Sequence, residues 1–347
     1  MRLAPLTTDV AERPGGDPLD RISETLLKED LDRFRRLLAE TLEPQRPYLT
    51  QTEYALYAHG KKLRPVMLLL SARMMHGAET PLPEKAIRGA VSLEMLHVAT
   101  LIHDDIVDGA LTRRGLQSVN AARGAGTSVI IGDLQFVGAI RGFVEAIDTQ
   151  SDMALVKLVL DTAFNICCGE LDELQTDPTH DPATLRTRYM ETIDRKTAVL
   201  FGLACECGVA LVASHTSDAR RAGFYGRRVG KAFQIMDDLI DIIGDEAHTG
   251  KAVGMDLIAR RLSLPLINAM EELGDAHIVT RIMRGMDASA DDIRRGVDAV
   301  KATNGFAQAY ALAREAALEA IEFLRPFPRN RYRLALEEIA LRIVDRE

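Results

Sequence analysis

Residues 101–115 read LIHDDIVDGALTRRG. They set Asp104, Asp105 and Asp108 into an apolar helical pattern, with Arg113 and Arg114 one or two turns further on. Side chains four apart share a helix face, so Asp104 and Asp108 point together while Asp105 sits about 100° round. Carboxylates this close repel unless a cation sits among them. A lone acidic patch reads as a solvated face, but this one recurs. Residues 233–241 read FQIMDDLID, with Asp237, Asp238 and Asp241 at the same spacing. If the two helices face each other, their carboxylates form an all-oxygen cage for hard divalent cations. Mg2+ suits it best, with water and phosphate oxygens completing the octahedron.

Basic groups accompany the acids. HGKKLRP at 59–65 offers Lys61 and Arg64, DRKTA offers Lys196 and Thr197, and TGKAVGMDLIARRLSLP offers Lys251 and Arg261. Singly each reads as a solvated cation. Beside six acids they point to phosphate recognition through metal bridging and charge-assisted hydrogen bonds. GDEAHTGKAV is not a phosphate-binding P-loop, because its glycine spacing is wrong, Ala252 stands in place of Ser or Thr, and no strand precedes it.

The elements that must hold these groups read as helices almost throughout. Segments such as DRISETLLKEDLDRFRRLLAETL, RGAVSLEMLHVATLIHDDIVD and MALVKLVLDTAFNICCGELDEL repeat apolar residues at helical spacing, and no convincing alternating strand appears. Gly, Pro and Asn cluster at 77–84, 124–126, 177–182 and 244–254, marking links between helices. A flexible arm is expected over residues 1–18 and one large all-α domain over 19–347. At 347 residues and 47% hydrophobic the chain can bury a large core, and a net charge of −8 without long basic runs argues against a nucleic-acid partner. No uninterrupted apolar run approaches a membrane span, so a cytoplasmic protein is expected. Cys167, Cys168, Cys205 and Cys207 lack zinc spacing and are expected to be buried and inert.

In the order GKKLRP, HDDIVDGALTRRG, Gly169–Glu170, KTA at 196–198, FQIMDDLID, GKAVGMDL and LSLP, these motifs resemble the trans-polyprenyl diphosphate synthase family from about Tyr54 to the C-terminus. The resemblance implies a helical bundle of the isoprenoid synthase type with a central apolar cavity. It implies a prenyltransferase in which an allylic diphosphate, held by about three Mg2+ ions, ionises and is attacked by isopentenyl diphosphate. It gives Asp104, Asp105, Asp108, Asp237, Asp238 and Asp241 to the metal. Arg113, Lys196, Thr197, Gln234, Lys251 and Arg261 go to the allylic diphosphate, and Lys61, Arg64, His97 and Arg114 to isopentenyl diphosphate. Asp104, Asp108, Lys196 and Asp237 are the expected catalytic groups, and a homodimer is the expected assembly. Three positions depart from the family pattern: His59 replaces a usual glycine, Arg261 a usual lysine, and Glu173 a usual glutamine.

Product length is expected to depend on the turns before Asp104. Ala99, Thr100 and Met95 carry no aromatic ring there, which in the family goes with long chains, while Phe136 could close the tunnel from a facing helix. A long-chain product is favoured over a geranylgeranyl or farnesyl one. A terpene cyclase on the same fold lacks use for GKKLRP and KTA. A metal-dependent phosphohydrolase leaves Asp108 and the second acidic helix unexplained, and a non-catalytic partner subunit would be expected to lose the acidic motifs.

Overall fold

The computed structural model of the chain describes residues 18–113, 115–147, 153–213, 215–244 and 253–345. Of the expected arm only Pro18 lies among them, as the first residue of a helix. The chain packs as two compact units, one of Met1–Leu160, Ala204–Ala219 and Phe327–Leu336, the other of Asp161–Leu203, Arg220–Pro326 and Glu337–Glu347.

The first unit contains α1 (Pro18–Leu26), α2 (Lys28–Leu42), α3 (Gln51–Ala58), α4 (Leu63–His76) and α5 (Glu84–Val107). A hairpin follows, β1 (Thr112–Arg113) with β2 (Leu116–Gln117), then α6 (Val119–Arg123), α7 (Ala125–Glu145) and the part of α8 (Met153–Leu174) up to Leu160. Strands of two residues are too short to show alternation, which is why the hairpin leaves no mark on the sequence pattern. Most of α4 is buried, including its run VMLLL, and α5 is buried along most of Ala86–Ile102 with charged and polar residues among the apolar ones.

Small residues on α7 let it lie close against α5. A Cβ at Gly132 would stand 2.2 Å from His103 Nε2, one at Gly138 2.8 Å from Met95 Cε, and one at Gly142 2.3 Å from Ser92 Oγ. Positions rise along α7 as they fall along α5, so the pair is antiparallel. Elsewhere on α7, Val129, Ile130, Val137 and Val144 are exposed. Among the described residues α7 is the one helix long and apolar enough to cross a membrane, and 33% of its most apolar window is buried. Uninterrupted runs do not reveal it, because Asp133 and Arg141 break the helix into short apolar pieces.

The second unit contains the rest of α8, α9 (Pro182–Ile193), a wide π-helical turn over Asp194–Ala198, and α10 (Val199–Ala210) up to Leu203. It continues with α11 (Thr216–Ile243) from Arg220, α12 (Met255–Ala259), α13 (Leu264–Leu273), α14 (Ile278–Met283), α15 (Ala290–Ala302), α16 (Asn304–Leu324) and the end of α17 (Arg331–Val344). Asp181 caps α9 by accepting from Thr184 N–H, with Pro182 in the first turn. Gly226 and Gly230 of α11 meet Phe201 O and Ala198 Cα at 2.2 and 2.6 Å from an ideal Cβ, so no larger residue could hold α11 this close.

Cys205 and Cys207 are buried as expected, and burial pushes the Cys205 thiol up to about 12. Cys167 departs from the expectation and is exposed, because it lies on a face of α8 that the chain does not cover.

Asp30 and Arg73 form the most deeply buried ion pair described in the first unit, with Arg73 Nε 2.7 Å from Asp30 Oδ2 and Nη2 2.9 Å from Oδ1. Arg73 also donates to the carbonyls of Gly77 and Thr80, which fixes the link after α4. Asp30→Ala strands the guanidinium without its counter-charge. It should lower unfolding stability by ~3–5 kcal/mol, read as a reduced denaturation midpoint in urea.

Candidate active site

In the first unit, Asp104 and Asp105 occupy the last turn of α5 and Asp108 caps it, its N–H donating to Asp104 O. Asp104 is half-buried, Asp108 exposed and Asp105 fully buried. The hairpin brings Arg113 back onto Asp105, Nε to Oδ1 at 2.7 Å. Gly109, at φ 61, supplies a left-handed turn on the way, and Gly115, at φ 76, another between β1 and β2. Burial raises the Asp105 carboxyl despite this partner, and its Oδ2 has no hydrogen bond. Arg113, expected on the allylic diphosphate, is therefore on the first acidic motif here. Arg114 and Lys251 lie outside the described residues.

The loop 59–62 joins α3 to α4. His59 has extended backbone, φ −100 and ψ 157, which any residue adopts, so histidine fits where the resembling family has glycine. Gly60 takes the positive φ of 96, and Lys62 the left-handed conformation. Lys62 Nζ donates to His59 O and pairs with buried Glu94 at 2.8 Å, anchoring the loop to α5. Its neighbour Lys61 is exposed. Arg64 Nη1 and His97 Nε2 meet at 3.2 Å, so two of the residues expected at isopentenyl diphosphate are brought together.

The candidates for product length share this unit. Ala99 and Met95 are fully buried, with Met95 packed over Gly138, while Thr100 and Phe136 are half-buried.

In the second unit the site is organised by the π turn. A Cβ at position 169 would stand 2.6 Å from the backbone N of Lys196, so Gly169 is what allows α8 against this turn. Glu170 and Glu173, on the same stretch of α8, then reach Lys196 Nζ at 2.7 and 2.5 Å. Asp172 takes Arg195 at 2.6 Å. Thr197 Oγ1 donates to Gln234 Oε1 at 2.8 Å, Gln234 Nε2 donates to Asp238 Oδ1 at 2.9 Å, and Tyr189 OH donates to Asp238 Oδ2 at 2.6 Å. Burial and the nearby Asp238 charge hold the Tyr189 phenol well above its ordinary value, so it stays a donor.

Asp237 is exposed and Asp238 buried. Asp241 accepts from the backbone N–H groups of Met255 and Asp256, capping α12 as well as belonging to the acidic motif. Arg261 lies 3.6 Å from Glu173 and 3.8 Å from Asp256. Burial raises the carboxyls of Asp238 and Asp256, and Asp256 is raised further by Asp238 and Asp241.

Among the described residues no three carboxylate, imidazole or thiol groups come together closely enough to enclose a metal ion unaided. Mg2+ does not need that, since it keeps waters and takes one or two carboxylates together with substrate phosphates. The donors at both acidic motifs are all oxygen, and Asp105 Oδ2 is buried without a partner. The residues therefore fit a hard divalent cation.

Residues 46–300 match the polyprenyl synthetase family. The chain belongs to that family. The heptaprenyl diphosphate synthase component 2 of Geobacillus stearothermophilus is 31% identical over 295 residues, covering 85% of this chain and 88% of the relative. The all-trans-nonaprenyl-diphosphate synthase (geranyl-diphosphate specific) of Rhodobacter capsulatus is 32% identical over 301 residues, covering 86% and 89%. The polyprenyl synthase of Caulobacter crescentus CB15, solved with calcium and isoprenyl diphosphate, superposes with a TM-score of 0.83 at 30% identity, covering 96% of this chain and 99% of that one. The protein is thus a prenyltransferase with the all-α isoprenoid synthase fold, acting on isoprenoid diphosphates.

Tyr189 and Asp256 were not singled out from the sequence. Asp256 stands within the quoted GKAVGMDL, where its burial could not be read. Tyr189 lies seven positions before Lys196, and only the fold brings its hydroxyl to Asp238. Tyr189→Phe removes that donor from a buried carboxylate, a loss of about 1–3 kcal/mol in the positioning of Asp238. The expected outcome is a fall in kcat/KM of roughly tenfold or more with unchanged far-ultraviolet circular dichroism.

Proposed function

We propose that this polyprenyl synthetase elongates an allylic diphosphate with isopentenyl diphosphate to a long-chain, all-trans product, using Mg2+. The observation that supports this best is at the π turn, which links the KTA motif to the second acidic motif through Thr197, Gln234 and Asp238 and sets Lys196 of the same turn against Glu170 and Glu173. Long products are supported by relatives named heptaprenyl and nonaprenyl diphosphate synthases, and by the absence of an aromatic ring at Ala99, Thr100 and Met95.

In this reading Asp104, Asp108 and Asp237 are the principal ligands of about three Mg2+ ions, with Asp105, Asp238 and Asp241 orienting or joining them. Bound Mg2+ supplies Lewis-acid stabilisation of the departing diphosphate. Lys196 and Arg261 hold the diphosphate oxygens, with Lys251 and Arg113 assigned the same task. Thr197 and Gln234, hydrogen-bonded to one another and through Gln234 to Asp238, are assigned to the same diphosphate. Arg64, His97, Lys61 and Arg114 hold the isopentenyl diphosphate still, so that its double bond meets the cation as it forms. No nucleophilic side chain is required, because the attacking group is the substrate's own double bond.

Chromatography of dephosphorylated products made from farnesyl and isopentenyl diphosphates tests the reading. Chains longer than geranylgeranyl are expected, and geranylgeranyl alone would sink the long-chain part. Asp104→Ala and Asp237→Ala should each remove most activity with helix content intact, and near-normal turnover in either would remove that residue from the metal site. Ala99→Phe should shorten the product, at an overpacking cost of about 1–3 kcal/mol, because the ring fills space the growing chain would use.

The exposed apolar residues of α7, with Ile130 at 66% and Val137 at 64% exposure, support a homodimer formed through this helix. The relative called component 2 makes a hetero-oligomer the rival assembly. Light scattering of the active purified chain should return twice the 38.2 kDa chain mass. An active monomer would refute the dimer, and inactivity until a second protein is added would favour the rival.

A further inference from the structure

Glu173 divides its carboxylate between two cations. Its Oε2 lies 2.5 Å from Lys196 Nζ and its Oε1 3.6 Å from Arg261 Nε. A diphosphate would present its oxygens to the same pair in the same way. Two further acids crowd the cations, Glu170 at 2.7 Å from Lys196 and Asp256 at 3.8 Å from Arg261. The group is not a sealed structural brace. The side chains of Glu173, Lys196 and Arg261 keep 27%, 21% and 36% of their exposure, so a ligand from solvent can reach all three.

We propose that Glu173 is an internal competitor for diphosphate: it occupies Lys196 and Arg261 when no substrate is bound and must be displaced when one enters. The inference rests on the reading of these two cations as diphosphate-binding groups, and it concerns this chain's own residue where the resembling family has a neutral glutamine. Partly exposed ion pairs are weak, so a polyanion bearing several charges can displace Glu173. The displaced carboxylate nevertheless remains close, and its charge opposes the incoming one. The same opposition favours departure of inorganic diphosphate after each condensation. Glu173 is thus a positioning and specificity residue that sets how tightly diphosphate is held, without touching the reacting carbons.

Glu173→Gln keeps the shape and a hydrogen-bond acceptor for Lys196 while deleting the charge. Glu173→Ala deletes both and guards against a special role of the new amide. Titration calorimetry on the full chain with inorganic diphosphate and Mg2+ as the probe should show roughly five- to tenfold tighter binding in both variants. The KM for farnesyl diphosphate should fall in parallel, while the KM for isopentenyl diphosphate stays within about twofold of wild type. A residue that merely braced the fold would instead weaken both substrates and lower the melting temperature. Unchanged or weaker diphosphate binding in both variants, with a wild-type chain that elongates normally, overturns the competitor and leaves the proposed function standing. Tighter binding in the variants of a chain that shows no elongation supports the competitor and overturns the proposed function.

Discussion

The second unit depends on one close approach. Over Asp194–Ala198 the backbone winds wider than an α-helix, and α8 lies against that turn because residue 169 has no side chain. Everything chemical nearby follows from the fit. The turn presents Lys196 to Glu170 and Glu173, Arg195 to Asp172, and Thr197 to Gln234. On its other side Gly230 admits α11 to within van der Waals reach of Ala198, which sets the height of Gln234 and of the acidic motif after it. A methyl group at 169 would collide with main chain, which cannot rotate away. The turn and the whole hydrogen-bonded set would have to shift with it.

The first unit solves a similar problem by another route. Asp105 is buried and needs a counter-charge, and the chain supplies one by folding back through a hairpin of two residues per strand to bring Arg113 to it. Asp104 and Asp108 are left more open. In the second motif Asp238 is buried and held by neutral donors, Tyr189 and Gln234, while Asp237 is exposed. In both motifs one acid is thus built into the protein and its neighbour keeps access to solvent, which is what an oxygen donor for a hydrated cation requires.

Much of this was legible in the sequence, and for identifiable reasons. Helical periodicity is local, so α2, α5, α8 and α16 announce themselves, and Gly, Pro and Asn mark the links at Gly77, Gly124 and Asp181. The acidic and basic motifs are also local strings. What could not be read depends on distance along the chain. The π turn has ordinary helical composition. The Tyr189 hydroxyl finds Asp238 across 49 positions, and Glu173 reaches Arg261 across a longer stretch. The exposure of Cys167 and of Val129, Ile130, Val137 and Val144 on α7 reflects which faces remain uncovered, and periodicity alone does not decide that.

The extended backbone of His59 has an effect on the unbound chain. Glycine at that position would leave the unfolded chain many more conformations than histidine does, and the native φ of −100 asks for none of them. Restricting the chain there removes about 0.4–1 kcal/mol of disorder that would otherwise oppose folding. With Lys62 already tied to Glu94, the segment carrying Lys61 starts from a narrower ensemble. Histidine at this position thus stabilises the loop by way of the unfolded chain, in addition to whatever its side chain contacts.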